Sequence, residues 1–61
     1  MFVMADTTTG DTVLINLDNV TAIYQTSYGT VDMSLLDGDS IEVHHDLNWW
    51  YDLITAKERK K

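Results

Sequence analysis

The sequence predicts an α+β fold: a small antiparallel sheet of about five short strands, arranged as two similar hairpins, with one carboxyl-terminal helix packed on a face. Three observations lead there. Apolar and polar residues alternate on either side of Asp37-Gly38 across residues 30–44, the period-two pattern of a strand pair with one buried face. Residues 10–15 (GDTVLI) and 38–43 (GDSIEV) are near copies, each with β-branched residues at the third and fifth places after the glycine. Residues 47–60 hold neither Gly nor Pro and follow Asp46, a good N-cap. The 61 residues make one domain, with the sheet over residues 2–45 and the helix over residues 46–60.

The first hairpin begins with the apolar run from Phe2 to Ala5, which ends at Asp6 and three threonines. With Thr8-Thr9-Gly10 as the loop, Ala5 faces Val13 and Val3 faces Ile15. Phe2, Met4 and Leu14 then share the opposite face and need cover of their own. Asn16-Leu17-Asp18-Asn19 is turn-forming, because Asn and Asp side chains hydrogen-bond their own backbone. Residues 20–24 read as a middle strand joining the two ribbons, and Ser27-Tyr28-Gly29 as the next turn.

In the second hairpin, a two-residue Asp37-Gly38 turn would pair Leu35 with Ser40 and Ser34 with Ile41, setting apolar against polar on both faces. Parity rejects it. A three-residue loop, Leu36-Asp37-Gly38, with Gly38 in the left-handed conformation of a G1 bulge, pairs Met33 with Ile41 and Val31 with Val43. One apolar face results, and one polar face of Asp32, Ser34, Ser40, Glu42 and His44. On the helix, at 100° per residue, Leu47, Trp50, Tyr51 and Ile54 form a core stripe. Trp49, Leu53 and Ala56 cluster beside it, widening the apolar arc to about 220°, about twice what docks a helix on a sheet.

Charge and composition exclude several functions. Residues 1–56 carry nine acidic side chains and no Lys or Arg, a formal −9, whereas Lys57, Arg59, Lys60 and Lys61 against Glu58 give the last five residues +3. A phosphate backbone needs cations spread over one surface, so direct nucleic-acid binding is not expected. The basic tail instead complements the negative end of a terminal helix. There is no cysteine, hence no disulfide and no thiolate metal site. No apolar run approaches the ~18–20 residues of a membrane span, and the first residues lack the pattern of a signal peptide. A cytoplasmic protein without membrane insertion is expected.

Glu42, His44, His45 and Asp46 form the one cluster of ligand-type side chains. Glu42 and His44 share a strand face, His45 points away and Asp46 is needed as the cap, which leaves too few ligands for a metal. The sequence holds no nucleophile triad, phosphate loop or HExxH. A chain this short leaves little room for a pocket of ~300 Å³. Neither enzyme activity, a small-molecule substrate nor any cofactor is expected.

A further pattern joins the two hairpins. Gly10 is followed by Val13, Ile15 and Asn16, then by Val20 and Ile23; Gly38 is flanked by Met33, Leu35, Ile41 and Val43. Over roughly residues 3–43 this resembles the small flagellar FlbD-type proteins, which include the swarming-motility protein of Gram-positive bacteria. The chain departs from that family in lacking its lysines and its Pro near residues 27–28, and in having the Trp49-Trp50 pair. The resemblance implies a similar fold and supplies no catalytic residues.

The sequence therefore points to a non-enzymatic protein-interaction or regulatory module that binds a protein partner. It is expected to self-associate as a homodimer through Trp49, Leu53 and Ala56. The size argues the same way, since a domain this small without a disulfide or metal barely offsets chain entropy. In a single chain, Phe2, Met4 or Leu14 folding over that flank would remove the need for a partner. The alternative function is an acidic, possibly phage-borne, nucleic-acid mimic that occupies a DNA-binding protein.

Overall fold

The computed structural model describes residues 1–59. In chain order it contains β1 (Phe2–Asp6), β2 (Thr12–Asn16), a turn of 3-10 helix (Leu17–Asn19), β3 (Val20–Gln25), β4 (Val31–Leu35), β5 (Ser40–Val43) and α1 (Leu47–Arg59). This is the α+β arrangement read from the sequence. The expected helix end at Lys60, and the contribution of Lys60 and Lys61 to the basic tail, lie outside the described residues.

Both hairpins adopt the register that parity requires. In β1–β2, Ala5 faces Val13 and Val3 faces Ile15; in β4–β5, Met33 faces Ile41 and Val31 faces Val43. The loops close with the same two bonds. The Thr7 N–H donates to the Asp11 carbonyl (2.8 Å) and the Gly10 N–H to the Thr7 carbonyl (3.2 Å); in the second hairpin Leu35 donates to Asp39 (2.9 Å) and Gly38 to Leu35 (3.1 Å). Gly10 and Gly38 hold φ of +93° and +94°, a conformation that costs any residue with a Cβ.

The strands do not form one continuous ladder. They make a two-stranded sheet, β1–β2, and a three-stranded sheet in the order β3–β4–β5. The two meet at a single bridge, Thr7 to Val43. It is flanked by bonds from the His44 N–H to the Asp6 carbonyl (3.0 Å) and from the Thr8 N–H to the Glu42 carbonyl (3.3 Å). Pairing stops there because the first hairpin enters its loop after Thr7 on one side, where the Thr7 hydroxyl also accepts the Asp11 N–H (3.0 Å), and β5 ends at Val43 on the other. Nor does β3 join the ribbons: among the described residues it pairs with β4 alone, as an edge, with a register irregularity between Val20 and Ala22.

The two inner faces share one small core of Ala5, Ile15, Val31, Met33, Val43 and Trp50. Trp50 is its largest side chain and is 1% exposed. Val3, Val13, Leu17, Val20, Ile23, Ile41 and Leu53 pack around it, partly buried. Of the polar residues, Thr7 and Thr30 are buried, and the Thr30 hydroxyl donates to the Glu42 carboxylate at 2.6 Å. Among the described residues, no buried side-chain nitrogen or oxygen lacks a partner, as burial requires. No helix among them is long and apolar enough to cross a membrane.

Candidate interaction surface

Two side chains fix the start of α1. The Asp46 carboxylate accepts the Trp49 N–H (2.9 Å), the N-cap bond expected from the sequence. Gln25, at the end of β3, accepts the Leu47 N–H (2.8 Å) through Oε1, while its Nε2 donates to the carbonyls of Thr26 and Thr30 (3.1 and 3.0 Å). One amide thus ties the helix start to the β3–β4 turn, which nothing in the sequence marks. His45, just before the cap, holds a left-handed backbone with φ of 77°. That reversal directs the chain from β5 into the helix, and the Trp50 indole N–H donates back to the His44 carbonyl (3.1 Å).

The anchoring of Trp50 sets the rotation of α1 and corrects the expected core stripe. The inward residues are Trp50, Leu53 and Ile54, whereas Leu47 and Tyr51, read as core, are exposed at 37% and 63%. At 100° per residue the docked face is turned by roughly 60° from the expected one. The apolar arc is wide enough to allow several rotations, and the tryptophan that fills the core selects among them. Apolar side chains therefore remain on both flanks of the docked stripe.

On one flank lie the three residues expected to bind a partner. Trp49 is 40% exposed, Ala56 is exposed, and Leu53 is half-buried where this flank meets the core. Trp49 is held in place: its ring stacks on His45 (centroids 3.9 Å apart, planes 10° apart) and meets the edge of Trp50 (4.9 Å, 78°). Phe2, Met4 and Leu14 do not cover it. They remain exposed on the outer face of β1–β2, at 62%, 69% and 63%.

On the other flank, α1 stands over β3 and leaves a groove of about 410 Å³ lined by Ile23, Leu47, Asn48, Trp50, Tyr51 and Ile54. A second concavity of about 310 Å³ shares Ile23 and Ile54 and continues along β3 to Val20, Leu17 and Asp18. The expectation that so small a domain lacks a concavity of ~300 Å³ is thereby corrected. The helix docks on a narrow stripe beside an edge strand, so the space under its flank stays open.

The ligand-type residues serve separate purposes. Glu42 is bonded to Thr30, His45 stacks on Trp49, Asp46 caps α1, and His44 is exposed past the end of β5. No family model, curated protein or solved structure matches this chain. The geometry of these two flanks accordingly supports any functional reading.

Proposed function

We propose that the chain is a non-enzymatic protein-interaction or regulatory module, acting in the cytoplasm, that pairs with a second copy through the Trp49 and Ala56 flank of α1. Trp49 is the observation that carries this reading. An exposed indole already fixed by His45 and Trp50 loses little freedom on binding, which is what distinguishes an anchor from an incidental surface aromatic. Ala56, two turns along the same flank, lets a partner helix come close. A twofold axis through this flank lets one patch serve both copies, and burying a large apolar side chain contributes ~1.5–3 kcal/mol.

The acidic-mimic reading finds less support. The strand register sets Asp32 opposite Glu42, and one such pair does not trace the repeat of a phosphate backbone. Sedimentation equilibrium at about 100 µM, enough to detect a Kd near 10 µM, tests the pairing. The wild type should be a dimer and Trp49→Glu a monomer. A monomeric wild type would refute self-association, and a dimer that survives Trp49→Glu would move the interface away from this flank.

A further inference from the structure

We infer that the groove between β3 and α1 takes an extended, basic peptide segment of another protein, which adds as a strand to the free edge of β3. The edge is open and unguarded. Among the described residues β3 pairs only with β4, and its sequence, VTAIYQ, contains no charged residue and no proline. Natural edge strands are usually blunted by charges, prolines or bulges; here the one irregularity lies between Val20 and Ala22, leaving Ala22 to Gln25 regular.

A helix stands beside that edge. The groove wall of Leu47, Trp50, Tyr51 and Ile54 is uncharged and faces Ile23 on the strand. A segment added along β3 would gain main-chain hydrogen bonds from the edge and direct alternate side chains into this apolar groove, the usual division of affinity and specificity in strand addition. The remaining side chains would lie on the face of Tyr24, which stands opposite Asp32.

Charge selects the occupant. A carboxylate stands at one end of the apolar stretch, where Asp18 lines the concavity that continues past Val20. Asp18 lies 3.5 Å from the Met1 amino group, and its side chain is 79% exposed. The surrounding residues 1–56 are formally −9. A segment with apolar residues at alternate positions and Lys or Arg at the end that meets Asp18 matches this field, whereas the β3 strand of a second copy, VTAIYQ, brings no cation to that carboxylate. The groove lies on the opposite flank of α1 from Trp49 and Ala56, so its occupancy does not depend on the pairing proposed above.

Random decapeptides displayed on phage, selected against the full chain at low salt, test the inference. The tightest binder is then titrated as a free peptide into isotope-labelled protein. Selected peptides should alternate apolar residues and carry Lys or Arg, and should shift the amides of Thr21 to Gln25 and of Tyr51. Tyr51→Lys, at an exposed position, should weaken the peptide by on the order of tenfold or more, while Met4→Lys, the same charge on the outer face of β1–β2, should change it by less than about twofold. Alternate N-methylation of the peptide should abolish binding. No selected binder, binders without cations, shifts confined to other strands, or equal effects of the two lysine variants would overturn it. So would β3 amides that respond to protein concentration without peptide, because a second copy would then hold the edge.

Discussion

The two hairpins of this chain are built to one plan and differ in what they carry. Superposing the loop glycines places Met33 where Ala5 stands, Leu35 where Thr7 stands, and the facing pair Asp32 and Glu42 where Met4 faces Leu14. Loop bonds, register and glycine φ are the same. Yet Val31, Met33 and Val43 are completely buried, while the apolar side chains that the first hairpin buries are Ala5 and Ile15, with Met4 and Leu14 left in water. The inner face of β1–β2 is too small to fill a core, and its outer face is too apolar to be an ordinary solvated surface. Loop chemistry and parity are local and fix pairing in both; volume and neighbours decide which hairpin stabilises the domain. β4 has strands on both sides, whereas β1 meets the larger sheet at one bridge.

The largest expected effect removes the cover that both hairpins share. Trp50→Ala should cost about 3–5 kcal/mol, comparable to the ~3–5 kcal/mol that a core of this size supplies. Near-ultraviolet circular dichroism at 25 °C should show a chain without fixed tertiary structure, and a cooperative melt like that of the wild type would contradict the role given to Trp50. Exchanging equivalent residues sharpens the contrast next. Met33→Ala, which gives the second hairpin the central residue of the first, should cost about 2–5 kcal/mol. The reciprocal Ala5→Met overfills a tight site and should cost about 1–3 kcal/mol. Urea unfolding of both variants measures the difference.

Alanine at the loop glycines probes what the hairpins share. Nothing lies within 4 Å of a Cβ built at Gly10 or Gly38, so the cost comes from backbone conformation alone. Gly10→Ala and Gly38→Ala should each lose about 1 kcal/mol, and urea midpoints unaffected in both would remove the left-handed loop geometry. The smallest effect belongs to the outer faces. Met4→Thr and Leu14→Thr should shift stability by no more than about 0.5 kcal/mol in thermal melts, since neither side chain is packed.

Most of the fold was legible in the sequence because its determinants are local. Alternation with a fixed loop length settles register, and Asp46 before a Gly- and Pro-free run settles where α1 starts. What depends on distant packing was not legible. The rotation of α1 follows from where Trp50 fits, so helical periodicity alone assigns Leu47 and Tyr51 to the core although they face water. The break between the sheets follows from where the first loop and the end of β5 meet, and the edge position of β3 from which ribbon it joins. At the candidate surface, Trp49 and Ala56 were recognisable from the width of the apolar arc. Gln25 and the groove were not, because an amide reaching from a strand end to a helix start leaves no periodic trace.

Residue-resolved hydrogen exchange at low protein concentration tests most directly the claim that one hairpin holds the fold while the other mainly displays surface. Amides paired between β4 and β5 should exchange only through global unfolding, with the slowest rates in the chain. Those paired between β1 and β2 should open by a smaller, separate route and exchange at least about tenfold faster, a gap of about 1.4 kcal/mol. Equal protection of the two hairpins, or slower exchange in β1–β2, would contradict it.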